Sequence, residues 1–193
     1  MPRLLLAAAL LLPAAPAAAL DCASPTGPAD SLVCADPALT ALDTRLAARF
    51  AAALPKAAAE GPAAESALRS EHAAWSAARD DCWQTENPRA CVENRYLRRE
   101  ARLVATWSLK YSDSITYWTC DNRPGNLIAA LFYATELPAV RLEYGNETDI
   151  GTLVRSASGS RFIASEGREF WIRGNEARLI WPAGTEQTCA LQK

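Results

Sequence analysis

His72 is the one imidazole in the chain and stands beside Glu71 in a stretch of helical periodicity. A Ser-His-Asp or Cys-His relay needs a histidine set among partners at workable spacing, and nothing around His72 supplies them. It reads as a helix residue, on the surface or satisfied in the core. The 22 Asp and Glu residues offer carboxylates in plenty, yet no spacing among them recommends an acid and base pair for glycoside chemistry. Neither a G-x-G-x-x-G nor a P-loop pattern is present. These absences point away from catalysis and from any nucleotide cofactor.

The six cysteines, Cys22, Cys34, Cys82, Cys91, Cys120 and Cys189, carry more information. Zinc sites and redox sites want C-x-x-C pairs or a Cys/His cluster, and this chain has neither, so no metal is expected. An even cysteine count in an exported chain reads as three disulfides, and the N-terminus reads as an export signal. Met1-Pro2-Arg3 is a positive start, Leu4 to Leu12 is a short apolar run, and Ala17-Ala18-Ala19 supplies small residues before cleavage. Residues 1–19 are therefore read as a signal peptide. Pro13 and Pro16 break the run, which argues against a membrane anchor. Acylation of Cys22 would want a small residue before it, whereas Asp21 stands there. The mature chain is expected to be periplasmic or secreted, with no stable membrane anchor.

Charge agrees with that placement. The 193 residues hold 20 Lys and Arg against 22 Asp and Glu, a formal net of −2. A nucleic-acid binder would normally gather a basic excess, so no nucleic-acid partner is expected. Half the residues are hydrophobic, which is enough to build a core in one large domain or two small ones.

Two grammars divide the chain. From Asp36 to about Val104, apolar residues recur at helical spacing. Leu39, Leu42, Leu46, Phe50 and Leu54 form one face of a helix begun at Asp36-Pro37 and ended near Pro55 or Gly61. A second helix runs from about Pro62 to Cys82, and a third starts after Asn87-Pro88. Three antiparallel helices bring Cys34, Cys82 and Cys91 to one pole, with Cys22 reaching them from the N-terminal segment. The pairing stays open, with a geometric preference for bridges from that segment to the later helices. After Ser112 the sequence turns to short β-branched and aromatic runs. Strands are expected at 115–120, 127–133, 139–144, 152–155, 161–164, 169–173, 177–181 and 185–191. Gly145-Asn146, Glu166-Gly167, Gly174-Asn175 and Pro182-Ala183-Gly184 serve as turns. Eight short strands suggest an antiparallel barrel or sandwich, its ends joined by Cys120 and Cys189. The expected class is α+β in two domains, a disulfide-tied helical bundle over residues 20–108 and a β domain over 112–193.

The strand half carries Tyr117-Trp118-Thr119-Cys120, then Ser156-Ala157-Ser158-Gly159-Ser160-Arg161-Phe162, then Phe170-Trp171-Ile172-Arg173-Gly174, and ends on Thr188-Cys189. This order resembles the MliC/PliC family of inhibitors of c-type lysozyme, which implies an eight-stranded antiparallel barrel with a disulfide joining its ends. In the helical half, Cys22, Cys34, Leu42-Asp43, Trp75, Arg79-Asp80, Cys82, Cys91 and Tyr96 resemble the LprI-type domain, also associated with lysozyme inhibition.

The resemblance implies c-type lysozyme as partner, and Ser158 and Arg173, beside Gly159 and Gly174, as the groups that enter its cleft. Lysozyme works with two carboxyl groups in a cleft, so a cation and a hydroxyl aimed at them suit an inhibitor. Arg173 stands where the family usually has Lys, and Phe162 where it often has Tyr. Guanidinium keeps the charge but is wider. That departure sustains an alternative, a non-inhibitory envelope module that recognises cell-wall glycan or an envelope protein. Trp118, Phe170 and Trp171 are read as barrel core, with Phe170 and Trp171 on opposite faces. Trp75 and Arg79, four apart on one helix face, are read as a core anchor and ion pair rather than a binding site. The strand half, from Ser112 to Lys193, holds ten acids and eight bases, a slight acidity that favours a basic partner.

Overall fold

A computed structural model describes residues 19–181 and 185–192. Among them are four α-helices: α1 (Pro28–Ala35), α2 (Pro37–Glu60), α3 (Pro62–Asp80) and α4 (Pro88–Thr106). Each opens on a proline, whose fixed φ and missing N–H suit the first helical position. Two starts are capped by side chains. Asp36 Oδ1 accepts from the amides of Ala38 (2.9 Å) and Leu39 (3.3 Å), and Asn87 Oδ1 accepts from Ala90 (3.1 Å). α2 runs through Pro55 and stops before Gly61, whose φ of +127° few other residues adopt.

The helical core is built on the α2 stripe. Leu39, Leu42, Leu46, Phe50, Ala53 and Ala57 are buried against Leu68 of α3 and Val92, Tyr96 and Leu103 of α4. Three long helices were expected and are present; α1 is additional. Its eight residues are too few to show a periodic stripe, and it is held by side chains and a disulfide instead.

That disulfide is Cys22–Cys34, and the second is Cys82–Cys91. The preference for bridges from the N-terminal segment to the later helices is therefore corrected: both bonds are local, with separations of 12 and 9 residues. The reason is α1, which returns the chain beside its own start. A one-turn 3₁₀ segment (Asp81–Gln84) likewise brings Cys82 back to the first turn of α4.

The strands are β1 (Ser114–Cys120), β2 (Leu127–Tyr133), β3 (Ala139–Tyr144), β4 (Glu147–Val154), β5 (Ser160–Ile163), β6 (Glu169–Arg173), β7 (Glu176–Ile180) and β8 (Glu186–Leu191). They form a closed antiparallel barrel in simple chain order, so the sandwich alternative falls away. Cys120 faces Cys189 where β1 meets β8, and the two are bonded. Trp118, Ile128, Leu142, Phe162, Phe170 and Leu179 fill the interior. β4 begins five residues earlier than expected. Asp149 and Gly151 lie ahead of the expected strand, but Asp149 accepts from the Ser165 amide (3.0 Å) and pairs with Arg168 (3.2 Å). Gly151 fits because a side chain there would lie 3.0 Å from the Cβ of Phe162.

The two halves pack together. Ala101, Val104 and Ala105 on α4 are fully buried against Tyr133, Ala139 and Ile150 of the barrel wall. Arg98 donates to the Thr152 hydroxyl (2.8 Å), and Arg45 bridges Glu100 of α4 (2.8 Å) to Glu136 of the β2–β3 connection (2.7 Å) at the rim.

Candidate functional site

The outer face of β5–β8 carries a cationic ladder around one indole. Register places Arg161 of β5 and Arg178 of β7 opposite Trp171 of β6, on the side away from the core. Phe170 points inward and is fully buried, while Trp171 is only half-buried. Trp171 is thus corrected from barrel core to surface platform, while Trp118 and Phe170 are interior.

Three guanidinium groups approach the Trp171 ring, Arg173 at 3.5 Å from its centroid, Arg178 at 5.2 Å and Arg161 at 5.6 Å. All are within cation–π range. Two are already paired with a carboxylate. Arg161 donates to Glu169 (2.8 Å from Nε), and Arg178 pairs with the other oxygen of the same carboxylate. Burial pushes the Glu169 carboxyl up, but the hydrogen bonds and charges of Arg161 and Arg178 outweigh it and hold it below the usual range. Arg173 is exposed and has no acidic partner among the described residues. It is the uncommitted charge of the ladder.

Ser158 lies in the exposed β4–β5 turn, whose backbone is closed by its own residues. The Ser156 hydroxyl donates to the carbonyls of Ser158 (3.1 Å) and Gly159 (2.9 Å). Gly159 has φ +67°, and a Cβ there would lie 2.0 Å from the Ile172 carbonyl oxygen and 3.2 Å from Arg173 Cγ. Only glycine allows this approach, which brings the Ser158 turn against the strand that ends in Arg173. Trp171 completes the link by donating from Nε1 to the Ser158 carbonyl (2.8 Å). Ser158, Gly159 and Arg173 are therefore gathered at one end of β5–β6. Gly174 lies just beyond, in the β6–β7 turn, with φ +63°. A cavity of about 220 Å³ opens beside them, lined by Trp171, Arg173, Glu176, Arg178, Glu186 and Thr188.

Sequence reading missed Trp171, Arg161, Arg178 and Glu169. The in-out alternation at Phe170-Trp171 was visible, but which face is outer and which arginines lie across from it depend on register.

The helical motif residues are buried supports. Arg79 donates to Asp30 (2.6 Å) and to the Tyr96 hydroxyl (3.0 Å), which in turn donates to Asp43 (2.9 Å). Burial raises the Tyr96 phenol well above its ordinary value, although the Arg79 charge and hydrogen bond pull the other way. Trp75 donates to the Arg95 carbonyl (2.9 Å) and lies beneath Arg79. Cys22 Sγ, bonded to Cys34, is not free to carry a lipid. Among the described residues, no His, Cys, Asp and Glu cluster is placed to hold a metal, and no helix is long and apolar enough to cross a membrane.

With this geometry in place, each half can be set beside a family that it is similar to. Residues 118–187 match the family model described as membrane-bound lysozyme-inhibitor of c-type lysozyme, MliC, and residues 22–90 match that of lysozyme inhibitor LprI. The chain therefore joins an LprI-like helical module to an MliC-like barrel, two lysozyme-inhibitor patterns in tandem.

Among curated proteins it is similar to "Lipoprotein LprI" of Mycobacterium tuberculosis (strain H37Rv) and of Mycobacterium bovis (strain AF2122/97). Identity is 29% over 166 residues, covering 86% of this chain and 81% of each relative.

Proposed function

We propose that this protein inhibits c-type lysozyme by inserting the Ser158 turn and Arg173 into the enzyme's active-site cleft, and so protects peptidoglycan outside the cytoplasm. Both matched families are described as lysozyme inhibitors, which supports lysozyme as the partner and inhibition, not catalysis, as the activity. The observation that carries the reading is Arg173, an exposed cation without an acidic partner among the described residues, braced 3.5 Å above Trp171 and beside the Ser158 turn. Two carboxyl groups in a cleft are its natural target, since a guanidinium grips a carboxylate with two parallel hydrogen bonds. Export rests on the N-terminal signal pattern and on three disulfides, which persist in oxidising compartments. The division into residues 20–108 and 112–193 belongs to the same reading.

The test is lysis of a cell-wall suspension by a c-type lysozyme, titrated with the oxidised full chain. Inhibition should be dose-dependent, and Arg173→Ala should raise the inhibition constant by about 30-fold or more, in line with loss of a charge-assisted pair at an interface. Ser158→Ala should cost less, about threefold to tenfold. Full lysis at micromolar excess of the wild-type chain refutes the reading. An unaltered Arg173→Ala refutes the assigned contact. The wider guanidinium in place of lysine favours a second reading, an envelope module that recognises cell-wall glycan or an envelope protein. Co-sedimentation with peptidoglycan in the absence of inhibition would establish it.

A further inference from the structure

Asp43 is a buried carboxylate with no side-chain cation paired to it among the described residues. It projects from α2 and is 8% exposed. The nearby Asp30 carboxylate is met by Arg79 at 2.6 Å, but no Lys, Arg or His side chain pairs with Asp43 among the described residues. The buried guanidinium of Arg79 thus serves Asp30 and the exposed Asp80, and it reaches Asp43 only through the Tyr96 hydroxyl. An unbalanced buried carboxylate is costly, and proteins normally pair such a charge.

What touches Asp43 instead is a hydroxyl and a backbone nitrogen. Its Oδ1 accepts from the Tyr96 hydroxyl (2.9 Å), and its Oδ2 accepts from the backbone nitrogen of Leu20 (2.7 Å). The Leu20 side chain packs on the helical core, which fixes that nitrogen in place. Leu20 is also the residue that directly follows Ala17-Ala18-Ala19.

We propose that cleavage of the Ala19–Leu20 peptide bond turns this nitrogen into an α-ammonium that serves as the ion-pair partner of Asp43, so that processing completes the core of the helical module. The inference rests on the export reading. In the hydrolysis, water adds its hydroxyl to the Ala19 carbonyl carbon, the C–N bond breaks, and the Leu20 nitrogen leaves as an amine that takes up a proton. The nitrogen already stands at ion-pair distance, so the charge is created where the carboxylate needs it. The processed end is then a structural part, and a chain with residues ahead of Leu20 keeps only a neutral amide there.

The test starts with export of the full chain, followed by intact mass and N-terminal sequencing. Folding equilibrium constants in urea are then compared for the chain beginning at Leu20 and a chain beginning at Ala18, each with Asp43 and with Asp43→Asn. Sequencing should start at Leu20. The Leu20 chain should fold about tenfold more favourably than the Ala18 chain, a gap of about 1.4 kcal/mol that Asp43→Asn should close. In the unmutated chain, the α-amine should acylate more slowly at about pH 8 when folded than in urea, since its partner holds the proton. This last readout stands even if Asp43→Asn fails to fold. An exported chain starting at another residue overturns the proposal while leaving export intact. Absence of export overturns both. Equal stability of the two chains, or equal amine reactivity folded and unfolded, overturns the ion pair.

Discussion

Trp171 is the residue on which the candidate site turns. Its ring face lies under Arg173 and its Nε1 holds the Ser158 carbonyl, so one indole braces both groups proposed to enter the lysozyme cleft. If Arg173 is effective because it is held in place, Trp171 and Arg173 should be coupled. Trp171→Ala is expected to weaken inhibition about threefold to tenfold in the wild-type background and by much less in Arg173→Ala, as a double-mutant cycle on the lysis assay would show. Trp171→Phe keeps a ring but loses the donor, and should fall between. His72 offers a second prediction, on stability. It is stacked between Phe50 (3.8 Å) and Trp75 (5.1 Å), and its buried Nδ1 has no hydrogen-bond partner among the described residues. Burial, with the charges of Arg99 and Arg79, lowers its pKa from 6.5 to about 4. The folded chain therefore keeps it neutral while the unfolded chain protonates below 6.5, and the unfolded state binds more protons in between. Stability from this residue is fully present above pH 6.5 and drains away as pH falls toward 4, by at most about 3 kcal/mol. Urea melts across that window should show the loss, and His72→Phe, which preserves the stack, should flatten it.

Among the elements, the β4–β5 and β6–β7 turns show why two glycines with similar φ are not equivalent. Gly159 (φ +67°) faces the Ile172 carbonyl so closely that a Cβ would lie 2.0 Å from it, whereas Gly174 (φ +63°) has open space around it. Gly159→Ala should cost more than about 2 kcal/mol and displace Ser158 from Trp171. Gly174→Ala should cost about 1 kcal/mol, the backbone preference alone. Chemical denaturation of both variants measures the difference. Helix starts were readable because proline and the capping side chains act within a turn of themselves. α1 and the two local disulfides were not, because a single eight-residue helix leaves no periodic trace and decides where Cys34 lies. β4 escaped for a related reason. Its central residues from Asp149 to Thr152 are all buried, between the barrel interior and α4, so the alternation that marks a one-sided strand is missing.

At the scale of the molecule, the helical and barrel modules share an apolar seam. Small residues on α4, Ala101 and Ala105, let the helix sit close to Tyr133, Ala139 and Ile150, and salt bridges line the rim of the contact. The two modules should therefore unfold as one unit in calorimetry. Ala105→Glu, which forces a charge into the seam, should cost about 3 kcal/mol or more and separate the transition into two. Unchanged cooperativity would show that the seam does not couple the modules. The Cys120–Cys189 bond, with its ends 69 positions apart, adds about 4 kcal/mol on the chain-entropy view and holds the barrel's first and last strands in register.

The sequence by itself determined the helical face of α2, the proline starts of α2, α3 and α4, seven of the eight strands to within a residue or two, and the resemblance that singled out Ser158 and Arg173. All of these are signals carried within a short stretch of chain, where periodicity, turn chemistry and motif order act locally. Only the tertiary structure decided that Trp171 faces outward, that Arg161 and Arg178 pair with Glu169 while Arg173 does not, and that Asp43 meets the nitrogen of Leu20. These depend on barrel register and on the packing of residues 8 to 23 positions apart, and a one-residue slip in either would exchange partners and faces alike.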